Sequence, residues 1–285
     1  MKTSFSQNLT DLAVKKKVSR FYDIGSPLYL KVYSSHIHDG YYITGKESRE
    51  QAQENLIKLI ITKAKIERGA KILDVGCGVG GSSVWLAKNL GAITTGITIS
   101  PVQIKIASKL AGENQVNSSF LLMDAENMKF NETFDIIWVV AAMTHFIDQE
   151  CFLKAATGIL KKGGKVIIFD WMLGNNVDNV QNDRYIKPVT EGMLLSSINP
   201  LNSYLKWLAG YGYRVMFSED ITNHTIQTWD AALSLIKKPG VLKIAYKLKI
   251  SELGEVLHFL KSIRAMRLAM RKEKIISGII IAEKL

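Results

Sequence analysis

The chain has 285 residues, 47% of them hydrophobic, and carries a formal net charge of +11 at pH 7. This apolar fraction is enough for a full core, and α/β folds of this length often form one unit. No apolar run is long enough to span a membrane, and residues 1–20 lack the apolar middle of a signal peptide. The two cysteines indicate neither a disulfide framework nor a metal cluster. We therefore expect a single cytoplasmic domain without a bound metal.

The amino-terminal region combines a polar leader with an aromatic segment. Residues 1–20 predict a partly helical leader, whereas residues 20–42 contain five tyrosines, one phenylalanine and two histidines. Because these aromatic residues lie outside a regular period, they favour a lid that covers a ligand, and the sealing of a core edge is the alternative. An amphipathic helix is predicted over residues 48–66, and Gly69 ends it.

Residues 71–83, with the sequence KILDVGCGVGGSS, lead from a short apolar strand through Asp74 into four glycines. Glycine adopts strained backbone conformations and lets a ligand approach main-chain N–H groups, and the helix that follows adds a positive end-charge. The loop therefore predicts a nucleotide-like ligand bound at Asp74, Gly76 and Gly78.

Two features bear on which nucleotide binds, because the glycine spacing also fits the dinucleotide fingerprint. A carboxylate at Asp74 is unfavourable beside a pyrophosphate but suits a ligand that carries an ammonium and a sulfonium. The next strand, residues 92–97, is followed by Thr98, Ile99 and Ser100, without the acid that holds a dinucleotide ribose. These features favour S-adenosylmethionine, and a nicotinamide dinucleotide or a purely structural glycine turn is the alternative.

Strands and helices alternate from the glycine loop to residue 171. Five strands are predicted over residues 72–75, 92–97, 119–123, 134–140 and 165–171, with helices over 81–89, 101–111 and 149–160. Ser100 and Asp148 are the predicted caps of the second and third of these helices, and Pro101 suits a first helical position. This alternation predicts a doubly wound, mostly parallel α/β sheet that binds ligands at the carboxyl ends of its strands.

The alternation ends after residue 171. Residues 173–200 are polar and predict an inserted cover with a helical core around residues 185–196. Further helices are predicted over 202–210, 225–237 and 251–270, and further strands over 213–218 and from residue 274 onward. The last strand is predicted as an antiparallel edge beside residues 213–218, which brings the sheet to seven strands.

The positive charge is concentrated between Lys237 and Lys274, where eleven Lys or Arg residues stand against three Glu residues. Such a stretch is typical of a surface that attracts an anionic substrate, an anionic membrane or nucleic acid, and a solvated helix face is the alternative. Peripheral contact with an anionic membrane is therefore one expectation.

Side chains that follow the second and third strands complete the cofactor hypothesis. Thr98, Ser100 and Gln103 are predicted to bond the ribose hydroxyls, and Asp124 with Ala125 is predicted to hold the adenine amino group. A turn-forming role is the alternative for Asp124.

His145 follows the fourth strand, where we expect the reacting centre. Imidazole titrates near neutral pH, so His145 is a candidate general base, and a hydrogen-bonded structural histidine is the alternative. No Asn or Asp followed by two prolines occurs there, which argues against methylation of a nucleic-acid base. No set of His, Cys, Asp and Glu residues occurs in the sequence at the spacing of metal ligands.

Several motifs in register carry a family resemblance across residues 21–171. They read YD at 22–23, YS at 33–34, HIHDGYY at 36–42, ILDVGCGVGGSS at 72–83, GITISPVQ at 96–103, DA at 124–125, FD at 134–135, His145 and GG at 163–164. The chain resembles class I S-adenosylmethionine-dependent methyltransferases. Within them it resembles the group of tocopherol C-methyltransferases and sterol, prenyl and alkaloid methyltransferases, with cyclopropane fatty acid synthases as relatives.

The resemblance implies a Rossmann-like methyltransferase fold with S-adenosylmethionine as cofactor and S-adenosylhomocysteine as product. It divides the chain into an amino-terminal lid over residues 1–45, a cofactor-binding core over 46–171, and an acceptor cover with the carboxyl-terminal strands over 172–285. It also implies that Tyr33 and Ser34 close over the carboxylate of the cofactor.

The resemblance further implies a small lipophilic acceptor of the prenyl, terpenoid, quinone, phenol or alkaloid kind, methylated on carbon. Methylation of nitrogen or oxygen, a nicotinamide-dependent oxidoreductase and a cofactor-binding protein without turnover are the alternatives. Thr144 stands where many relatives have Glu. His145 is therefore the predicted base, and Asp170 is the second candidate for that role or for orienting the acceptor.

Overall fold

The computed structural model describes residues 2–32, 34–175, 177, 180, 182–236 and 250–285. Its strands are β1 (Lys71–Val75), β2 (Ile93–Thr98), β3 (Ser118–Leu122), β4 (Phe134–Val140), β5 (Leu160–Leu173), β6 (Tyr213–Asp220) and β7 (Ile275–Lys284). Its helices are α1 (Lys2–Val32), α2 (Arg49–Ala64), α3 (Gly81–Leu90), α4 (Pro101–Asn114), α5 (Gln149–Ile159), α6 (Lys187–Gly192), α7 (Leu201–Gly210), α8 (Thr222–Thr225), α9 (Gln227–Ile236) and α10 (Ile250–Arg271).

The strands form one seven-stranded sheet in the order β3-β2-β1-β4-β5-β7-β6. β7 is antiparallel to both of its neighbours, and the other adjacent pairs are parallel. The predicted doubly wound, mostly parallel fold is therefore confirmed. The strand order reverses between β1 and β4, and such a switch point opens a crevice at the carboxyl ends of the strands.

Apolar strands at the centre of the sheet supply the core on both of its faces. Successive side chains of a strand point to opposite faces, so Ile137 and Val139 of β4 join one hydrophobic cluster and Ile136 and Trp138 join the other. Trp138 is completely buried. An almost wholly apolar strand is what a parallel sheet covered on both faces requires.

The helix caps predicted from the sequence are confirmed. The backbone N–H of Gln103 donates to Ser100 Oγ at 3.1 Å, and that of Cys151 donates to Asp148 Oδ1 at 2.8 Å. Pro101 occupies the first turn of α4. These side chains satisfy helix N–H groups that have no partner within the helix, so the local sequence is enough to place the starts of α4 and α5.

The prediction that the aromatic residues from residue 20 onward lie outside a regular period is wrong for residues 20–32, because α1 continues through them as a helix with Pro27 inside it. Val18 and Ser26 are buried. Together with Tyr22 and Tyr29 they recur every three or four residues, which places them on one helix face. Gly25 and Pro27 obscure this period in the sequence, since both residues are typical helix breakers.

The prediction that the last strand is an edge is also wrong, although its antiparallel pairing with residues 213–218 is confirmed. β7 lies between β5 and β6, and β6 is the edge strand. Ile279, Ile280 and Ile281 are completely buried. A strand with so continuous an apolar run must be covered on both faces of the sheet and paired with a strand on each side. An edge strand lacks one of these neighbours.

Among the described helices, none combines the length and the apolar character needed to cross a membrane.

The interior position of β7 has a consequence for stability. Ile280 is completely buried and pairs with Ile168 and Ser218. We expect Ile280→Ala to lower the free energy of unfolding by about 2–5 kcal/mol, because it removes buried methyl groups and leaves a cavity. Val215→Ala on β6, where the side chain is 37% exposed, should cost less than about 1 kcal/mol. Urea unfolding measures the free energy of unfolding of both variants. Equal losses in the two variants would contradict the interior placement of β7.

Candidate active site

A cavity lies at the carboxyl ends of β1, β2 and β4, beneath α1. It is lined by eight of the predicted site residues, Asp74, Gly76, Gly78, Thr98, Gln103, Asp124, Ala125 and His145, and also by Lys15, Tyr22, His36 and His38. Ser34, Ser100 and Asp170 do not line it. Tyr33 lies outside the described residues. Most of the predicted cofactor contacts are therefore gathered at one site.

Asp74 ends β1 as a buried carboxyl group at the floor of this cavity, with 3% of its surface exposed. The Ser83 hydroxyl donates a hydrogen bond to Asp74 Oδ2 at 2.6 Å. Burial raises the pKa of Asp74 to about 7, and the hydrogen bonds from Ser83 oppose this only in part. No cationic side chain of the described residues forms an ion pair with it, so a positively charged ligand group would stabilise its charged form.

Three of the four glycines of the loop are required for different reasons. A Cβ at Gly76 would lie 2.4 Å from the Cβ of Ala142, and one at Gly81 would lie 2.2 Å from the Ser35 carbonyl oxygen. At Gly78 a Cβ would meet no atom closer than 3.7 Å, yet the backbone there has a φ of +55°. Gly76 and Gly81 therefore serve packing. Because Gly78 has no side chain, the cavity stays open beside it, and a ligand can approach the main chain there.

The polar residues after β2 are bonded to one another and to α1. The Thr98 hydroxyl donates to Gln103 Oε1 at 2.6 Å, and Gln103 Nε2 donates to Ser26 Oγ at 3.0 Å. Ser100, which is completely buried, donates to Asp23 Oδ1 at 2.5 Å. Thr98 and Gln103 therefore reach the cavity, whereas the Ser100 hydroxyl is used to cap α4 and to hold α1.

Asp124, after β3, is paired with a lysine that the sequence interpretation missed. Lys15 Nζ of α1 lies 2.7 Å from Asp124 Oδ2 and 2.9 Å from Glu126 Oε2. Burial opposes the ionisation of Asp124, but hydrogen bonds from Lys15 and Asn127 outweigh it and lower the pKa of Asp124. The signal available in the sequence was the run of three lysines at residues 15–17, which is uninformative without the fold.

His145, after β4, is held between two partners. Its Nδ1 lies 3.2 Å from the carbonyl oxygen of Leu194, and its Nε2 lies 2.7 Å from the Tyr22 hydroxyl. Because a carbonyl oxygen only accepts, Nδ1 carries the proton of the neutral ring and Nε2 accepts from Tyr22. Burial lowers the pKa of His145 to about 4, so the ring is neutral at physiological pH. Tyr22 and His145 thus form a hydrogen-bonded pair on the cavity wall.

Asp170 supports the turn that carries His145 and does not enter the cavity. The Thr144 hydroxyl donates to Asp170 Oδ1 at 3.1 Å, and the backbone N–H of Trp171 donates to the same oxygen at 2.7 Å. Trp171 Nε1 in turn donates to Asp39 Oδ2 at 2.9 Å. Burial raises the pKa of Asp170 to about 6 and that of Asp39 to about 7. The geometry therefore gives Asp170 a positioning role.

A buried glutamine fixes the loop that follows α1. The Ser34 hydroxyl donates to Gln53 Oε1, and Gln53 Nε2 donates to the carbonyl oxygens of His36 and His38, each at 2.7 Å. Ser35, rather than Ser34, lines the cavity. Gln53 was missed because it lies on the apolar face of α2. A single polar residue there interrupts the hydrophobic period of the helix without indicating a function.

His38 presents an unused acceptor beside the cavity. Its Nδ1 lies 2.8 Å from the carbonyl oxygen of Asp39, so this nitrogen carries the proton. Burial lowers the pKa of His38 to about 3, so its ring is neutral. Its Nε2 has no partner among the described residues. A ligand hydroxyl would satisfy this nitrogen.

Comparisons with known proteins point to methyltransferases. A family model described as a methyltransferase domain matches residues 73–168. The 2-methyl-6-phytyl-1,4-hydroquinone methyltransferase of Synechocystis sp. is 30% identical over 258 residues, covering 83% of this chain and 77% of the relative. The chloroplastic tocopherol O-methyltransferase of Arabidopsis thaliana is 32% identical over 174 residues, covering 56% of this chain and 50% of the relative. The match therefore spans half the length of the Arabidopsis protein.

The fold has counterparts among solved structures. Mycolic acid cyclopropane synthase CmaA1, crystallised with S-adenosylhomocysteine, superposes with a TM-score of 0.82 at 19% identity, covering 94% of this chain and 97% of that one. At this identity the likeness concerns the fold. The family model and the curated relatives support the methyl donor over the nicotinamide dinucleotide as cofactor.

Ionisation of Asp74 should control the affinity for S-adenosylmethionine. The carboxylate attracts the ligand ammonium only when it is charged, and its pKa in the free protein is about 7. Lowering the pH from 7.5 to 5.5 protonates Asp74 and should therefore weaken binding about 20-fold, with a proton released on binding in this range. Asp74→Asn should bind weakly at every pH.

Calorimetric titrations measure this dependence, and Asp135→Asn is the matched control. Asp135 lies at the opposite end of β4, on the surface and 2.6 Å from Lys161 Nζ. Its substitution should leave affinity unchanged. An affinity of wild-type protein that is constant from pH 5.5 to 7.5, or that is retained in Asp74→Asn, would remove the assigned role of Asp74.

Proposed function

Because the chain belongs to the class I S-adenosylmethionine-dependent methyltransferases, we propose that it methylates a small lipophilic acceptor, and that this acceptor is a prenylated phenol or hydroquinone methylated on a ring carbon. The observation that carries the proposal is the Tyr22–His145 pair, a neutral proton acceptor held on the wall of the cofactor cavity. The named substrates of the curated relatives are of the same chemical class.

The cavity residues fit the cofactor. Asp74 is a buried carboxyl group that pairs with no cation among the described residues, and it suits the ammonium of the methionyl part. Thr98, Gln103, Asp124 and Ala125 all line the cavity, so Thr98 and Gln103 would bond the ribose, and Asp124 with Ala125 would border the adenine. Gly78 lets the ligand approach the backbone. When bound, the cofactor supplies an electrophilic methyl group on its sulfonium sulfur.

The cavity lining also offers apolar surface and a few polar groups for an acceptor. Ile37 and Phe146 line the cavity next to His38 and His145 in the chain. A ring hydroxyl of the acceptor would donate to His38 Nε2, which has no partner among the described residues. A site with apolar walls and a small number of placed polar atoms orients a lipophilic ring and aligns its carbon with the methyl group.

The low basicity of His145 favours carbon over oxygen as the methylated atom. A phenol hydroxyl is a weak acid, so its proton is removed unfavourably by an imidazole whose pKa burial has lowered. Methyl transfer to a ring carbon gives a cationic ring in which that carbon still carries its hydrogen. This cation is a strong acid, so a weak base is enough to remove the proton. Tyr22 would accept the proton from that carbon while passing its own hydroxyl proton to His145 Nε2, which restores the aromatic ring.

Acceptor identity is tested with S-adenosylmethionine that carries a ¹³C-labelled methyl group. We expect transfer to 2-methyl-6-phytyl-1,4-hydroquinone, with the label found on a ring carbon by NMR. The same ring without its prenyl tail should react with a kcat/KM at least tenfold lower, because each buried CH2 group contributes about 0.8 kcal/mol. Label on oxygen, transfer to amine acceptors alone, or equal rates with and without the tail would contradict the proposal.

The roles of Tyr22 and His145 give a separate prediction. Tyr22→Phe and His145→Gln should each lower kcat at least tenfold, about 1.4 kcal/mol of barrier, while the affinity for S-adenosylmethionine changes little. The double variant should be no worse than the slower single variant, because the two side chains act as one relay.

Tyr211→Phe is the control, since it removes a hydroxyl that bonds Glu150, and neither residue lines the cavity. It should leave kcat unchanged. If His145→Gln instead abolishes cofactor binding or unfolds the protein, His145 has a structural role, and full activity in Tyr22→Phe would exclude the relay.

A further inference from the structure

The outward face of α10 interleaves leucines with cations. Leu257, Lys261, Arg264, Leu268 and Arg271 recur every three or four residues and are all exposed, so they form one stripe along the helix. Leu257 is 47% exposed and Leu268 is 39% exposed. The inward face is a separate apolar surface buried in a hydrophobic cluster. The exposed leucines, Leu257 and Leu268, are therefore not part of the hydrophobic core.

This stripe forms one wall of a groove that we call the basic groove. Its lining combines apolar residues, among them Leu233, Leu257, Leu260 and Leu268, with the cations Arg184, Lys261 and Arg264. Tyr185 and Pro188 also line it. Apolar side chains interleaved with cations match a partner that presents anionic groups above an apolar layer.

The charge of this face is not neutralised within the part of the chain that the structure describes. Residues 257–271 contain four Lys or Arg residues and no Asp or Glu. Arg267 is paired with Asp230, whereas Lys261 and Arg264 form no ion pair with any described residue. Residues 237–249, which precede α10 in the sequence, contain five lysines and no acidic residue.

We propose that the basic groove docks on the surface of an anionic lipid bilayer. Leu257 and Leu268 would enter the boundary between head groups and acyl chains, and Lys261 with Arg264 would contact lipid phosphates. A nucleic acid offers the phosphates but no apolar layer to cover the leucines. The functional meaning of this contact rests on the proposed function, because a lipophilic acceptor is dissolved in such a membrane.

The docking face is connected to the active site through α1. The ring of Phe21 packs edge-on against that of Phe259 of α10, with centroids 5.6 Å apart. The next residue, Tyr22, bonds His145. Leu194, whose carbonyl oxygen accepts from His145 Nδ1, closely follows α6, which itself packs on α10. The membrane-facing helix therefore adjoins the part of the cavity assigned to the acceptor.

The test is co-sedimentation of the full chain with phosphatidylcholine vesicles, prepared with and without phosphatidylglycerol. Binding should require the anionic lipid and weaken steeply with added salt, because exposed charges are screened beyond about 10 Å at 0.1 M. Lys261→Glu with Arg264→Glu should lower vesicle affinity at least tenfold, because the groove loses two cations and gains two anions that anionic lipid repels. Leu257→Ser with Leu268→Ser should lower it at every salt concentration.

The matched control is Lys105→Glu with Lys109→Glu, which makes the same charge change on exposed positions of α4. It should bind vesicles like the wild type. Equal binding to neutral and anionic vesicles, wild-type binding by the Lys261/Arg264 variant, an equal loss in the control, or displacement by a short RNA would each overturn the proposal. Methyl transfer to detergent-dispersed acceptor should be unchanged in the Lys261/Arg264 variant, which separates docking from catalysis.

Discussion

The site is organised around a carboxyl group that is buried without a cation from the part of the chain that the structure describes. Asp74 lies at the end of β1, beside the point where the strand order reverses toward β4, and burial raises its pKa to about 7. Burying a charge without a partner is unfavourable, so this position favours a ligand that brings a positive charge of its own. The glycine loop beside Asp74 admits such a ligand to the backbone. The N-terminus of α3, which follows the loop, carries a partial positive charge that favours the carboxylate of the ligand.

Helix α1 joins the parts of the site that the strands leave separate. It contributes Lys15 to Asp124 after β3, Asp23 to Ser100 after β2, and Tyr22 to His145 after β4. One rigid element therefore contacts three strand ends at once. Through Phe21 it also contacts α10, so the cofactor cavity, the proton acceptor and the basic groove share a single structural connection.

The sequence was sufficient for features that depend on neighbouring residues. The glycine loop, the caps Ser100 and Asp148 and the apolar strand β4 are local patterns, and the structure places all of them as predicted. Contacts between distant residues could not be predicted. Lys15 meets Asp124 across 109 positions, and Tyr22 meets His145 across 123 positions. Pairs so far apart in sequence leave no periodic signal, and the same is true of the place of β7 inside the sheet.

The most direct test of this account is a crystal structure of the protein with S-adenosylhomocysteine bound. The ammonium group should lie within hydrogen-bonding distance of the Asp74 carboxylate, and the adenine should lie beside Asp124 and Ala125. The sulfur should face the side of the cavity where Tyr22 bonds His145. A ligand bound in the opposite direction, with its adenine at Asp74, or bound outside this cavity would contradict the assignment of the site.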